Sequence, residues 1–307
     1  IDVMLNQVSY SFDVSVIPIY LGLIHGKILN SLSKDTLEDF RLLFKNLKES
    51  NLKYWVSTPA LAELCIRDMN FNSSLMPNLT TFFFAGEVLS KKLVKELMVR
   101  FKGVRIINGY GPTEGTVLLS AIDVTEEMLE DERSIPIGYP LDGGILKIVD
   151  DKNEEVKPGE KGEEMTNKVF FNEVVNGEVY RGYRTGDVAY YDNGILYYCG
   201  RKDFQIKLNG FRIEIEDIEN NLRKVSNINN CVVLPVYRDE KISHLSSFVT
   251  LKEDNKLSSL KNSILIKDEL KKYIPSYMIP RNIKVIKEFP INTNGKIDRK
   301  KLMEEFK

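Results

Sequence analysis

The chain has 307 residues, 43% hydrophobic and 28% charged, the balance of a globular protein with length for two ordinary domains or one large one. Its 43 basic and 44 acidic residues are interspersed and leave a formal net charge of −1, which argues against a nucleic-acid or membrane-surface partner. Three scattered cysteines, Cys65, Cys199 and Cys231, and two isolated histidines, His25 and His244, exclude a disulfide frame, a CxxC zinc site and a histidine triad, and point to a reducing, cytoplasmic setting.

In chain order, the apolar stretch from Val14 to Leu29 is interrupted by Pro18, Gly22 and His25 and is too short to cross a bilayer. It also lacks the basic leader and cleavage site of a signal peptide. Thr36 and Asp39 suggest a capping box, with Leu37, Phe40, Phe44 and Leu47 following at helical spacing. Tyr54-Trp55-Val56 reads as a short strand, and Thr58-Pro59 opens a helix with proline at its first position. The continuous apolar run Thr81–Ala85 predicts a strand buried on both faces. Ser90 caps a helix reaching about Phe101, and Val104–Ile107 is the next strand. This alternation predicts a parallel α/β layer.

Past Ile145 the pattern turns to short strands and tight turns. Asp192-Asn193-Gly194 sits between Val188–Tyr191 and Ile195–Tyr198, and Asn209-Gly210 between Gln205–Leu208 and Phe211–Glu214; both are hairpin signals. A helix over about Glu216–Val225 carries Ile215, Ile218, Leu222 and Val225 on one face. Strands at Cys231–Tyr237 and Leu245–Leu251, a helix near Lys261–Tyr273 and a strand at Ile283–Ile286 complete a small α+β unit. We therefore expect two domains, residues 1–201 and 202–307.

Several short segments carry groups suited to chemistry. In Asn108-Gly109-Tyr110-Gly111-Pro112-Thr113-Glu114, two glycines allow close backbone approach to a ligand and Tyr110 offers a flat face to a purine. Thr113 can bond a phosphate, and Glu114 can hold Mg²⁺ through oxygen. The same run also reads as a Gly-Pro turn after a strand. Asp187, closing Tyr183-Arg184-Thr185-Gly186-Asp187, can accept two ribose hydroxyls or be a turn residue. Lys296, within Asn294-Gly295-Lys296-Ile297-Asp298-Arg299, can neutralise charge building on a phosphoryl group, or lie solvated in a basic tail with Lys300, Lys301 and Lys307. Asp13, in Ser11-Phe12-Asp13-Val14-Ser15, can cap the helix starting near Ser15.

Taken together, and with Gly200-Arg201-Lys202-Asp203-Phe204-Gln205-Ile206-Lys207, these motifs resemble the adenylate-forming superfamily in order and spacing, from about Asp13 to the C-terminus. The resemblance implies the adenylate-forming enzyme fold: an α/β large domain of parallel sheet layers plus a small β subdomain, followed by a small α+β C-terminal domain. It implies that ATP is held by Asn108, Gly109, Tyr110, Gly111, Pro112 and Thr113, with Asp187 on the ribose, Tyr198, Cys199, Gly200 and Arg201 lining the site, Glu114 on Mg²⁺ and Lys296 as the catalytic cation. Within the superfamily the wording is most similar to the D-alanine–D-alanyl carrier protein ligases. Met4-Leu5-Asn6-Gln7, Gly86-Glu87-Val88-Leu89 and Tyr277-Met278-Ile279-Pro280 add to that likeness. It implies D-alanine or another small amino acid as substrate, with Asp13, Ala85, Val117 and Lys296 around it. The partner it implies is a phosphopantetheinylated carrier protein, in the D-alanylation of lipoteichoic acid for the cell wall, with the enzyme a monomer. Family members commonly carry cysteine at the Ala85 position, so relaxed selectivity is expected. A nonribosomal peptide adenylation domain and an inactive binding module remain as alternatives. The family's Ser/Thr/Gly-rich phosphate loop is nowhere in the chain, which implies that the first part of the enzyme precedes Ile1. About a dozen residues are also expected to be missing near Gly162–Lys168.

Overall fold

The computed structural model describes residues 2–149, 170–175, 177–201, 205–238, 241–253, 257–291 and 297–305. It divides into two compact units, Ile1–Asp203 and Phe204–Lys307. Among the described residues no helix is long and apolar enough to cross a membrane.

The first unit is organised by a sheet of β1 (Val3–Asn6), β2 (Ile28–Ser31), β3 (Leu52–Ser57), β4 (Thr81–Phe84), β5 (Arg105–Tyr110), β6 (Ser120–Asp123) and β7 (Tyr139–Pro140), in spatial order β2-β1-β3-β4-β5-β6-β7. The pairs from β2 to β5 are parallel, and β6 and β7 join antiparallel. Connecting helices are α1 (Val16–Ile24), α2 (Lys34–Glu38), α3 (Phe40–Glu49), α4 (Pro59–Cys65), α5 (Lys91–Arg100) and α6 (Glu126–Glu130). Leu43 and Leu47 of α3, Leu61 of α4, and Leu93 and Leu97 of α5 share one core with Trp55, Phe71, Phe82, Phe84 and Phe101. Edge-on aromatic contacts such as Phe82–Phe101, with centroids 5.2 Å apart, lock that core. Two hairpins follow, β8 (Phe170–Val175) with β9 (Glu178–Tyr183), and β10 (Asp187–Asp192) with β11 (Ile195–Arg201). The second turns through Asn193 and Gly194, both left-handed at φ 50° and 79°, as the sequence predicts.

Several expectations are corrected. Thr36 and Asp39 do not form a capping box: Ser33 caps α2 by accepting from the Thr36 amide, and Asp39 starts a separate helix. The Asp39 carboxylate accepts from the amides of Arg41 and Leu42 at 2.8 and 3.2 Å, and its extended backbone breaks the path between α2 and α3. The strand at 81–84 is buried on one face, through Phe82 and Phe84, whereas Thr81 and Phe83 are half-buried. Phe82 and Phe84 join the aromatic core, whereas Phe83 packs beside the small cluster of Val8, Val14 and Ala85. Ala85 lies just past the strand, and β5 runs three residues beyond Ile107, so Asn108, Gly109 and Tyr110 are strand residues.

The second unit comprises β12 (Gln205–Leu208), β13 (Phe211–Glu214), α7 (Ile215–Leu222), β14 (Ile228–Arg238), β15 (Lys241–Leu251), α8 (Ser259–Leu270), β16 (Asn282–Val285) and α9 (Arg299–Glu305). β12 and β13 form the hairpin expected at Asn209-Gly210. β15 sits centrally, antiparallel to β14 and parallel to β16. Ile215, Ile218, Leu222 and Val225 are all buried in the unit's own core, as their spacing implies.

Candidate functional site

The loop after β5 is held in an unusual path by close packing. Tyr110 pairs with Ser120 across β5 and β6, and the Leu119 amide donates to the Tyr110 carbonyl at 2.8 Å, closing the loop between them. A Cβ on Gly111 would lie 2.5 Å from the Val117 carbonyl oxygen and 2.8 Å from the Leu118 Cα, so only glycine fits there. Thr113, Glu114 and Gly115 make one turn of 3₁₀ helix. Thr116 and Val117 then take φ of 65° and 73°, and the Leu118 amide donates to the Thr116 carbonyl at 2.8 Å. A bond two residues back around a left-handed residue is a γ-turn, a strained form that a β-branched side chain makes costlier. Val117 is itself buried. Such strain gathers where a site must hold a shape that local preference would not choose.

Asp187 is where the separate motifs meet, the first of its partners being Tyr110. The Tyr110 hydroxyl donates to Asp187 Oδ2 at 2.5 Å, and Arg201 Nη1 donates to Asp187 Oδ1 at 2.9 Å. The Arg201 and Asp187 side chains are 13% and 11% exposed, so their charges are well shielded. Thr185 Oγ1 accepts from the Asp187 amide at 3.1 Å and fixes the start of β10. Burial, then the facing Asp187 carboxylate, push the Tyr110 phenol well above its usual range, so it stays a donor. A carboxylate has about four acceptor directions, so Asp187 retains capacity for two further donors. Tyr183 donates to Glu114 Oε1 at 2.9 Å, and the rings of Tyr110 and Tyr198 lie 6.3 Å apart.

These contacts depend on how the β10–β11 hairpin is fastened to the sheet. The Ile137 amide donates to the Leu196 carbonyl at 2.8 Å and the Leu196 amide to the Gly138 carbonyl at 3.0 Å. Gly138 has φ 91°, and a Cβ there would overlap the Ala121 carbonyl. Asn108, 4% exposed, turns inward: its amide donates to the Pro136 carbonyl at 2.9 Å and braces the same segment. Between Val188–Gly200 and Ala189–Tyr198 the register slips, which makes Cys199 the extra, exposed residue of a β-bulge. Sequence reasoning overlooked Phe83 and Leu118, against which a Cβ on Gly109 would press; a glycine within a strand was the available signal.

Asp13 does not cap α1. It begins a 3₁₀ turn, Asp13–Ser15, and neither Phe12 nor Ser15 makes a side-chain cap bond. Its neighbour Val14 packs with Val8 and Ala85, and a Cβ on Gly86 would touch Val14 at 3.4 Å. The segments of Asp13 and Ala85 are thus adjacent, with Ala85 only 1% exposed. Thr113 and Glu114 are exposed and Pro112 is half-buried. Among the described residues, no three His, Cys, Asp or Glu side chains gather into a metal cage. Lys296 lies outside the described residues, as do Lys202, Asp203, Phe204, Asn294, Gly295 and the segment 162–168.

A parallel-centred α/β sheet with a strained glycine loop at one strand end, followed by a small α+β unit, has the architecture of an adenylate-forming enzyme. The chain belongs to the AMP-binding enzyme family: residues 1–169 match the AMP-binding enzyme model and residues 217–296 the AMP-binding enzyme C-terminal domain. Similar curated proteins are a D-alanine–D-alanyl carrier protein ligase of Bacillus cytotoxicus and another of Bacillus mycoides. Each is 41% identical over 99% of this chain and 62% of its own length. The chain therefore spans about 62% of the length of these relatives. The fold is similar to that of an NRPS protein containing adenylation and PCP domains, bound to a vinylsulfonamide inhibitor. That likeness has TM-score 0.80 and 25% identity, covering 99% of this chain and 53% of that one. It is also similar to the Vibrio cholerae adenylation domain AlmE in complex with glycyl-adenosine-5'-phosphate, with TM-score 0.80 and 24% identity, covering 99% and 58%.

Proposed function

We propose that this chain is part of an AMP-forming ligase that activates D-alanine with ATP and passes it to the phosphopantetheine thiol of a D-alanyl carrier protein. The observation that carries this reading is the union of three separate motifs at Asp187, through Tyr110 and Arg201, in a chain 41% identical to D-alanine–D-alanyl carrier protein ligases.

In this reading Asp187 accepts the ribose hydroxyls, held in place by Tyr110 and Arg201. The loop Gly109–Thr113 faces the nucleotide, with Tyr198, Cys199 and Gly200 beside it. Glu114 suits Mg²⁺, because that ion commonly takes one or two protein carboxylates plus phosphate oxygens rather than an all-protein cage. When bound, the ion would supply charge neutralisation on the phosphates. Asp13 meets the substrate ammonium, while Ala85 and Val117 limit the room beside its methyl group.

Two steps follow. A carboxylate oxygen of the amino acid attacks the α-phosphorus, the bond to the β-phosphate oxygen breaks, and pyrophosphate leaves. Lys296 offsets the charge of bringing two anions together. A thiol that has lost its proton then attacks the acyl carbon and AMP leaves. We assign residues 1–201 to the large adenylating domain and 202–307 to the small one, which carries Lys296 and swings about the junction near Asp203 between steps. The enzyme would act as a cytoplasmic monomer in the D-alanylation of lipoteichoic acid.

The test is ATP–pyrophosphate exchange by the full-length enzyme over D- and L-amino acids and short fatty acids. D-alanine should give the highest kcat/KM. A preference for a fatty acid would overturn the reading, and preference for another amino acid would reassign it to a nonribosomal peptide type.

A further inference from the structure

Helix α7 presents residues 215, 218, 219 and 222 to the core of the second unit, and three of them are Ile215, Ile218 and Leu222. The fourth is Glu219, an acid only 4% exposed. Both its oxygens accept from Arg299 Nη2, at 2.9 and 3.1 Å, and Oε1 also accepts from the Val233 amide at 2.8 Å. Arg299 Nη1 completes the arrangement by donating to the Val233 carbonyl at 3.1 Å. Arg223 approaches Glu219 Oε2 from the surface at 3.7 Å. A single guanidinium thus joins α7 to β14.

Burying a carboxylate costs several kcal/mol before its partners offset it, and an aliphatic residue would fill that stripe more cheaply. Stability is therefore a poor explanation for the pair. What it does is hold one point of the chain. Arg299 lies three residues after Lys296, and the intervening residues are tied as well. Ile297 pairs antiparallel with Ile291, the Asp298 amide donates to the Pro290 carbonyl at 2.7 Å, and Asp298 Oδ1 caps α9 by accepting from the Lys301 amide at 2.9 Å.

We propose that Glu219 and Arg299 are positioning residues for the first half-reaction, fixing where the chain leaves Lys296; this rests on the role given to Lys296 above. Misplacing a catalytic group by about 1 Å costs on the order of 100-fold in rate. Transfer to the thiol makes no use of Lys296, so it should not depend on the clamp.

The experiment compares Glu219→Gln, Arg299→Ala and Arg299→Lys with Lys296→Ala in the full-length enzyme. Both half-reactions and the melting temperature are measured. Glu219→Gln and Arg299→Ala should lower kcat for exchange by about 10- to 100-fold, with KM for ATP and amino acid within about threefold. Thiol loading from a supplied aminoacyl adenylate should stay within about twofold, and Arg299→Lys, which keeps a cation beside Glu219, should recover part of the exchange. If Arg299→Ala fails to fold, Glu219→Gln and Arg299→Lys still decide. A parallel fall of both half-reactions with melting temperature would mean a purely structural pair and overturn the proposal. So would normal exchange in the clamp variants when Lys296→Ala is inactive. Normal exchange in Lys296→Ala would instead sink the reading of Lys296, and this proposal with it.

Discussion

Replacing Tyr110 with phenylalanine removes one oxygen and keeps the ring. That oxygen donates to Asp187 Oδ2 at 2.5 Å in a shielded setting, where a hydrogen bond to a charged group contributes about 1.5–3 kcal/mol. Asp187 keeps Arg201 on its other oxygen and is not left unpaired, so the loss should fall near the lower figure, about 1.5 kcal/mol. For a unit of about 200 residues that corresponds to a fall of roughly 3–6 °C in the melting temperature of the first unit. Burial first, and then the facing Asp187 carboxylate, also give this phenol a pH signature. The folded phenol titrates well above its ordinary 10.0, so below that value both folded and unfolded chains hold the proton and the full contribution is present. Above it the unfolded phenol ionises first, and the contribution declines until the folded phenol also ionises. The gap between wild type and Tyr110→Phe should therefore be constant below pH 10 and narrow above it. Thermal melts by circular dichroism over a pH series test this. Equal melting temperatures at neutral pH, or a gap that widens in alkali, would refute the argument.

Lys296→Ala should abolish most pyrophosphate exchange while thiol loading from a supplied adenylate survives; unchanged exchange would contradict its assignment. Asp13→Ala should lower kcat/KM for amino acid activation by about one to two orders of magnitude, the worth of a charge-assisted contact. Ala85→Cys should sharpen discrimination between D- and L-alanine by about 1–3 kcal/mol, read from the exchange panel. Gly111→Ala drives a methyl into the Val117 and Leu118 backbone, which cannot rotate aside, and should destabilise the first unit by about 1–3 kcal/mol and weaken ATP binding measured by calorimetry.

Much of the framework was legible because it is written locally. Asn193-Gly194 and Asn209-Gly210 supply the left-handed residues a tight hairpin needs, Pro59 suits a first helical turn, and Ser90 accepts from the Leu93 amide as a cap should. Asp39 misled because a short acid can serve either the helix before it or the one after it, and only geometry decides. Tyr110 and Asp187 lie 77 residues apart, and Glu219 and Arg299 lie 80 apart. No periodicity encodes such pairings; the motifs named Tyr110, Asp187 and Arg201 as ligand groups, but not as groups that hold one another. One signal was present and unused: Glu219 stands at a core position among Ile215, Ile218 and Leu222, where an acid calls for a partner.

Pairing strands in this chain lie at very different distances in sequence, which bears on folding order. β14 and β15 are eleven residues each with two residues between them, so their pairing closes a very short loop. In the first unit β3 ends at Ser57 and β4 begins at Thr81, and each parallel pair must wait for a crossover of this kind. Local pairing is fast and distant pairing slow, so the β14–β15 hairpin should form before the parallel sheet of the first unit on dilution from denaturant, with β16, which pairs with β15 across α8, joining later. During synthesis the order of appearance is the opposite: the slow-pairing sheet leaves the ribosome first, with its strand edges open until the last strands arrive.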